Sequence, residues 1–288
     1  MNNNNNNKLF YNIIDDECGF ARLYGYVNKE NQKTVSPYLI EKYEKEADKF
    51  WNKFYKKNNN NFFKDRHWLV REFPEFLKNS KEERKEENTI KVFEIGCGVG
   101  NTTLPLLELN DNLYFESFDF SDHAVKLLNQ SVESNEKYRG RCSGFVYNAV
   151  DGIDKLPKET IEQFGTFDLV VIIFVLSAMD PATMPAVVDM CYKVLKPGGM
   201  VLIRDYAVDD MAQYRFVSDS GSKNKLGDNF HVRYDGTRAY YFSLQVMEDL
   251  YKAGGFKTFQ NIYVEKTVTN RKQNYKMDRK FIQSKFIK

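Results

Sequence analysis

The chain has few of the side chains that build metal sites and disulfide frameworks. Its 288 residues include four cysteines and three histidines, and no two of them have the spacing of a zinc site. We therefore predict free thiols in a reducing compartment and no bound metal. The cysteines are Cys18, Cys97, Cys142 and Cys191, and the histidines are His67, His123 and His231.

Long apolar runs and a large charge excess are also lacking. The longest apolar stretch, 169–176, has the length of a buried strand. We expect no membrane-spanning segment and no secretory signal. The net charge is only +2, so the whole-chain charge does not indicate nucleic acid. Cations nevertheless gather between Lys266 and Lys288, where they fit either a solvated strand or a phosphate-contacting face.

Periodicity divides the chain into three parts. The asparagine tract near the start predicts disorder for residues 1–35. Apolar and aromatic residues at helical spacing predict one long helix over 36–57, within a helical extension, 36–88. From residue 89 strands and helices alternate, which predicts a Rossmann-like α/β domain over 89–288. Its sheet has seven mostly parallel strands with helices on both faces.

The boundaries of these elements follow from the same patterns. The predicted strands are Ile90–Ile95, Leu113–Phe118, Gly144–Tyr147, Phe167–Leu176, Met200–Asp205, Thr258–Val264 and Lys280–Ile287. The predicted helices of the domain are Asn101–Leu109, Asp122–Ser134, Thr183–Leu195 and Ser243–Ala253.

A glycine-rich turn carries the strongest functional signal. The first predicted strand ends at Gly96, and Gly98 and Gly100 follow. Glycine adopts backbone angles closed to other residues and lets a ligand approach the main chain. The second strand ends about twenty residues later at Asp119, where an acidic residue typically binds ribose hydroxyls. The pair predicts a site for a nucleoside cofactor, and the alternative is a purely structural strand–helix turn.

The spacing of the turn indicates which cofactor binds. A dinucleotide site has G-x-G-x-x-G, whereas this turn has G-x-G-x-G. Glu94, two residues before it, would repel a pyrophosphate but can pair with a cation. S-adenosyl-L-methionine carries a sulfonium and an ammonium group and no phosphate. The pattern resembles motif I of the class I S-adenosylmethionine-dependent methyltransferases, whose last strand is antiparallel, as Lys280–Ile287 would be.

Several narrower stretches resemble one family, the eukaryotic tRNA N3-methylcytidine methyltransferases, over residues 38–288. They are Phe62–Trp68, Ile173–Ala178, Leu195–Gly199, Arg204–Tyr206, Asp210–Gln213, Asn229–Arg233 and Asp235–Arg238. The segment Met211–Gln213 is more similar to the branch that acts on threonine and arginine tRNAs than to the serine branch.

The resemblance implies the cofactor site. Its members are Trp51, Tyr55, Glu94, Gly96, Gly98, Asp119, Asn148, Ala149 and Ile173. The family often has an acidic residue near the adenine where this chain has Asn148, and Asp151 is the substitute. The alternative for Trp51 and Tyr55, one helical turn apart, is ordinary helix core.

The substrate side combines the resemblance with composition. Between Arg204 and Phe242 cations and aromatics interleave, as in proteins that hold single-stranded RNA by stacking and phosphate contacts. The alternative is an aromatic core with solvated arginines. The predicted substrate-binding residues are Phe63, Lys64, Arg66, His67, Arg204, Arg215, Arg233 and Arg238.

These observations predict a methyltransferase that forms N3-methylcytidine in the anticodon loop of tRNA. N3 of cytosine has a lone pair and the product is cationic, so we expect Asp205 to stabilise the developing charge. The competing hypotheses are a methyltransferase acting on a protein or small molecule, and a catalytically silent tRNA-binding module. The expected location is the cytoplasm, with the nucleus as an addition. The family leaves open a partner such as an aminoacyl-tRNA synthetase or another accessory protein.

Overall fold

The computed structural model describes most of the chain. The described residues are 12–14, 22–24, 34–58, 65–220, 224–270 and 275–288. The asparagine tract near the start and the predicted RNA-binding residues Phe63 and Lys64 lie outside them.

Within the described residues, the N-terminal part contains two short strands and three helices. Strand β1 (Asn12–Ile14) pairs with β2 (Arg22–Tyr24) in antiparallel fashion, a pairing that the prediction of disorder over 1–35 did not include; the rest of that segment lies largely outside the described residues. The helices are α1 (Pro37–Lys45), α2 (Ala47–Asn58) and α3 (Leu69–Glu72), and a 3-10 turn (Pro74–Leu77) follows.

The helix predicted over 36–57 is two helices. Ser36 accepts a hydrogen bond from the Leu39 amide, and Pro37 occupies the first turn, where its missing N–H costs nothing. At Glu46 the backbone leaves the helical region, with φ −107° and ψ 15°, and α2 begins one residue later. The break lets the two helices lie against different parts of the domain.

A seven-stranded sheet forms the centre of the domain, which confirms the predicted fold class. Its order is β11-β12-β7-β6-β3-β4-β5, and β12 runs antiparallel to both of its neighbours. The strands are β3 (Ile90–Ile95), β4 (Leu113–Asp119), β5 (Cys142–Val146), β6 (Phe167–Ile173), β7 (Leu195–Tyr206), β11 (Lys257–Asn270) and β12 (Tyr275–Ile287). The helices between them are α4 (Thr103–Leu109), α5 (Asp122–Ser134), α6 (Lys158–Glu162), α7 (Met184–Val194), α8 (Met211–Ser220) and α9 (Leu244–Ala253).

The central strands are covered on both faces. In β6 every residue but Asp168 is buried, and β3 is buried except at Lys91. Continuous apolar strands of this kind belong to parallel sheets sandwiched between helices. This explains why the sequence shows apolar runs here rather than alternation.

Helices α6 and α8 were not predicted, and two further features also differ from the prediction. A small antiparallel sheet of β8 (Lys225–Gly227), β9 (Phe230–Val232) and β10 (Arg238–Tyr240) stands between α8 and α9. The strand predicted over 167–176 ends at Ile173, because Phe174 adopts a left-handed backbone with φ 60°. A non-glycine residue there is strained. A hydrogen bond from its amide to the Arg204 carbonyl, at 2.8 Å, holds it in place.

The order of the strands creates a crevice at their carboxyl ends. The strand order reverses at β3: β4 and β5 lie on one side of it, and β6 and β7 lie on the other. Ligands of open α/β sheets bind at such a switch point. The turn at Gly96, the side chain of Asp119, Asn148 after β5, and Phe174 after β6 all meet at this edge.

Candidate functional site

A cavity of about 610 Å³ opens at the carboxyl edge of the sheet. Its base is the glycine turn, one wall is α1 and α2, and another is the segment after β6. Among the predicted site residues it is lined by Trp51, Tyr55, Arg66, Gly96, Gly98, Asp119, Asn148, Ala149, Ile173, Arg233 and Arg238. The structure therefore brings together most of the residues that the sequence assigned to two ligands.

The glycine turn leaves no room for side chains. Gly96 and Gly98 have φ of 69° and 55°. A Cβ at Gly98 would lie 2.6 Å from Tyr55 Oη, and one at Gly96 would lie 2.5 Å from Val175 Cγ2. Both glycines are thus required by conformation and by space, and the backbone itself faces the ligand.

Asp119 holds this turn and presents its carboxylate to the cavity. Oδ2 accepts from the Gly98 amide and Oδ1 from the Ser121 amide, both at 2.9 Å. Burial raises the pKa of Asp119 to about 6, although the two amides lower it. Each oxygen retains a second lone pair, so the carboxylate can accept from the two hydroxyls of a ribose.

Glu94 was predicted to belong to the cofactor site, but it does not line the cavity. It is buried beneath the turn, where it accepts from the hydroxyls of Thr103 and Ser117. Burial raises the pKa of this carboxyl. Glu94 therefore braces the start of α4 against β4.

Aromatic and amide groups form the walls. The rings of Trp51 and Tyr55 lie 5.9 Å apart on α2, and both line the cavity, so the predicted wall is present and more than helix core. On the opposite side stand Ile173 and the Asn148-Ala149 pair. The Asn148 side-chain oxygen accepts from the Val150 amide at 3.4 Å, which leaves it a further lone pair for a purine amino group.

Two arginines make one end of the cavity cationic. Arg66 donates to the Thr102 hydroxyl at 2.6 Å and lies 5.6 Å from the ring centre of Phe174. Arg233 lies 5.5 Å above the ring of Tyr206. Burial lowers the pKa of Arg66. Guanidinium groups fixed over aromatic rings are suited to hold a planar, polar ligand.

Arg238 has a different partner from the one predicted. It is 5% exposed, forms an ion pair with Glu44 of α1 and lies 5.5 Å above the Phe230 ring. Nearby, Gly236 packs so closely against Phe50 of α2 that a side chain there would clash. Arg238 therefore fastens the helical extension over the cavity, and its charge is already paired.

Arg204 and Asp205, adjacent on β7, point to opposite faces of the sheet. Arg204 donates to Gln283 at 2.9 Å and stacks 4.8 Å from the Trp68 ring. Arg204 is buried and does not line the cavity, so its contact with RNA stays a prediction that this geometry does not support. Asp205 is fully buried, and its oxygens accept from the amides of Ser177 and Tyr206. It stands behind the cavity and does not line it.

Two further predicted substrate residues within the described ranges lie outside the cavity. His67 and Arg215 are exposed and do not line it. Sequence reasoning missed several lining residues, which come from α1, from α2, from the end of β7 and from connecting segments: Glu44, Asp48, Tyr206, Phe120, Tyr147, Ser177 and Met179. The resemblance in Ile173–Ala178 pointed to Ser177, but no spacing rule assigned it a role.

The described residues contain no cluster of His, Cys, Asp and Glu able to hold a metal ion. None of the helices within the described ranges is long and apolar enough to cross a membrane.

Comparison with known proteins defines the class. A family profile described as "Methyltransferase domain" matches residues 93–201. The fold is shared with the Burkholderia thailandensis 1,6-didemethyltoxoflavin-N1-methyltransferase, solved with S-adenosylhomocysteine. The TM-score is 0.56 at 12% identity, covering 90% of this chain and 92% of that one. With the glycine turn and Asp119, the molecule is a class I methyltransferase whose cofactor is S-adenosylmethionine.

Closer relatives define the family. The Homo sapiens tRNA N(3)-cytidine methyltransferase METTL6 is 41% identical over 262 residues, covering 90% of this chain and 87% of that one. Drosophila melanogaster tRNA N(3)-methylcytidine methyltransferase Mettl2 is 40% identical, covering 91% and 78%. The chain belongs to the tRNA N(3)-cytidine methyltransferase family. It is also 34% identical to O-methyltransferase 3 of Dictyostelium discoideum, covering 85% and 71%.

We predict that Asp119→Ala weakens S-adenosylmethionine binding by about 10- to 100-fold, since hydrogen bonds to a charged group contribute about 1.5–3 kcal/mol. Calorimetry measures the affinity. Because protonation removes the charge, the affinity of the unchanged protein should be constant above pH 7 and fall below about pH 6.

The exposed carboxylate Asp189 on α7, paired with Lys193, is the matched control. Asp189→Ala should bind the cofactor normally and keep the pH dependence. The Asp119→Ala variant should lose that dependence. A pH profile that persists in Asp119→Ala would contradict the assignment.

We predict that Glu44→Gln weakens cofactor binding by roughly 3- to 30-fold, because it leaves the nearly buried Arg238 without its partner. In the double variant Glu44→Gln/Arg238→Gln, the loss of cofactor-binding free energy should be smaller than the sum of the losses in the two single variants. Glu41→Gln, which breaks an exposed ion pair with Lys45 on the same helix, should change nothing. Additive losses would show that the ion pair does not hold the helices closed.

Proposed function

We propose that this protein transfers a methyl group from S-adenosylmethionine to N3 of a cytidine in the anticodon loop of tRNA. One observation carries the proposal. A single cavity joins the ribose-binding carboxylate of Asp119 to an end lined by Arg66, Arg233 and aromatic rings. Family membership supports tRNA as the substrate.

The cavity suits this chemistry. S-adenosylmethionine supplies an electrophilic methyl group, and the lone pair of N3 attacks it without loss of a proton. The protein must therefore orient a base taken out of its stack and exclude water. Phe174, Tyr206 and the guanidinium of Arg66 offer planar surfaces against which a base can lie. The buried charge of Asp205, behind this end, favours the cationic product.

A basic arm beside the cavity supports binding of a large polyanion. We use this name for Lys266–Asn270 of β11 and Tyr275–Lys280 of β12. These residues pair with each other beyond Tyr206, the last residue of β7, so the arm projects from the cavity edge of the sheet. The side chains of Lys266 and Lys276 are exposed there. We propose that this arm is the phosphate-contacting face predicted for the C-terminal segment.

Helix α8 enlarges this surface. Asp210, just before it, forms an ion pair with Arg279 at 2.9 Å, and the Asp278 amide donates to Met211 Sδ. The exposed Arg215 lies on the same helix. Through these contacts α8 and the basic arm form one support, and we propose that Arg215 contacts phosphate there rather than in the cavity.

We propose that the substrates are the threonine and arginine tRNAs, because of the resemblance in the Met211–Gln213 segment. We propose that the protein is located in the cytoplasm and, in addition, in the nucleus. An aminoacyl-tRNA synthetase or another accessory protein is the proposed partner. For the chain's parts, we propose that the extension 36–88 serves as cofactor lid and RNA contact, and that residues 1–35 are dispensable.

The alternative is methylation of a hydroxyl, which the Dictyostelium relative's name suggests for that protein. A hydroxyl must lose its proton, so a general base is needed within reach. The cavity does contain the carboxylates of Asp48 and Asp151, whereas N3 needs none. The basic arm is unnecessary for a small substrate, and this favours RNA. A catalytically silent RNA-binding module would have no need for the glycine turn.

We predict that tRNA incubated with the protein and S-adenosylmethionine gains N3-methylcytidine, measured by mass spectrometry of its nucleosides. Replacement of the target cytidine by uridine should abolish the product, because the N3 of uracil carries a proton. Transfer to a hydroxyl compound or protein without transfer to tRNA would refute the proposal.

We predict that Lys276→Ala lowers the slope of tRNA affinity against salt by about one unit, as expected when one phosphate contact is lost. Filter binding over a range of salt concentrations measures this. Arg204→Ala is the contrast: it should lower the melting temperature, since Arg204 joins Trp68 to Gln283, and leave the slope unchanged. Equal slopes for Lys276→Ala and the parent protein would remove the basic arm from the RNA interface.

A further inference from the structure

Ser177 and Asp205 form one polar unit at the floor of the cavity. Ser177 lies in the 3-10 turn Leu176–Ala178 after β6 and lines the cavity. Only 1% of its surface is exposed. Asp205 lies behind it on β7. The Ser177 amide donates to Asp205 Oδ2 at 3.0 Å, and the Ser177 hydroxyl lies close enough to the same carboxylate to lower its pKa. The Tyr206 amide donates to Oδ1 at 2.9 Å.

This arrangement determines whether Ser177 acts as a hydrogen-bond donor or acceptor toward the cavity. A serine hydroxyl has one hydrogen and two lone pairs. A carboxylate accepts only, so the hydroxyl must donate its hydrogen to Asp205. The amide hydrogen is used in the same way. Toward the cavity Ser177 therefore offers lone pairs and no donor, and a ligand group that meets it must carry a hydrogen.

The other polar groups at this end have the opposite character. Arg66 and Arg233 line the same cavity and lie close enough to Asp205 to interact with its charge, and a guanidinium donates and never accepts. The pairing edge of cytosine has an amino group at C4, a lone pair at N3 and a carbonyl at C2. When N3 faces the methyl donor, the amino group and the carbonyl lie on either side, where an acceptor and a donor are required.

We propose that Ser177, with its hydroxyl oriented by Asp205, binds the 4-amino group of the target cytosine and selects it over pyrimidines that lack this group. The assignment rests on the proposed function and adds the residue that distinguishes the base. In uracil a carbonyl would face the lone pairs of Ser177, leaving two acceptors opposed in a buried site. Asp205 is then a positioning residue that acts through Ser177.

The same contact assists the reaction. Methylation at N3 gives a cation whose charge is shared with the 4-amino nitrogen. An acceptor backed by the Asp205 carboxylate binds that amino group more strongly in the transition state than in the neutral base. Interactions of this kind increase the rate of the chemical step.

The test compares two bases in tRNA anticodon stem-loops. One carries cytosine at the target position, and the other carries pyrimidin-2-one, which keeps the N3 lone pair and the C2 carbonyl but has no amino group. Single-turnover rates at subsaturating RNA give a cytosine-to-pyrimidinone ratio for each protein. In Ser177→Ala this ratio should fall about 10- to 100-fold, the value of a buried hydrogen bond whose loss leaves its partner unsatisfied.

Misfolded protein and the intrinsic reactivity of the two bases do not affect the cytosine-to-pyrimidinone ratio when parent and variant are compared. Both rates come from one protein preparation, so any misfolded fraction cancels, and the intrinsic reactivity of the two bases cancels between parent and variant. Ser284→Ala is the matched control. Ser284 is as buried, and its hydroxyl donates to Asn261 Oδ1 at 2.8 Å on the outer part of the sheet. Its ratio should equal that of the parent.

Asp205→Asn should also lower the ratio, because the Ser177 hydroxyl is then free to present its hydrogen to the cavity. If Ser177→Ala slows both bases by the same factor, Ser177 only shapes the floor and the assignment is overturned while N3 methylation stands. If the parent protein forms no N3-methylcytidine in tRNA, the proposed function falls, and this assignment falls with it.

Discussion

The hydrogen bond between the Gly98 amide and Asp119 is the contact on which the site depends. It draws the glycine turn back against the end of β4 at 2.9 Å. The turn can take this path only because Gly98 has a left-handed backbone and no side chain to meet Tyr55. The base of the cavity, the start of α4 and the wall formed by α2 all follow from this one closure.

The second constraint is that the helical extension belongs to the domain. Lys285 of β12 is paired with Glu75 at 2.6 Å, and Val35 donates to the Lys225 carbonyl at 2.9 Å. On the cavity side the Asn52 side chain accepts from the Ser121 hydroxyl at 2.6 Å. These contacts join the extension to both ends of the sheet, so the cavity is built from segments far apart in the chain.

The sequence predicts the sheet well, because its central strands are mainly apolar runs, and because Gly96 follows β3 and Asp119 ends β4. Ile90–Ile95 and Asp122–Ser134 have the predicted bounds. Prediction failed where tertiary contacts decide. Arg204 and Asp205 are neighbours in sequence, yet only the sheet's pleat shows that they face opposite sides. The ion pair of Glu44 with Arg238 joins residues almost two hundred positions apart, and no local pattern indicates it.

The position of α1 and α2 over the cavity also has a consequence for the proposed reaction. If these helices act as the proposed lid, the demethylated cofactor can leave only after they move, and that movement breaks the ion pair of Glu44 with Arg238. A stronger ion pair would then exclude water better, but it would lengthen the interval between one methylated tRNA and the next.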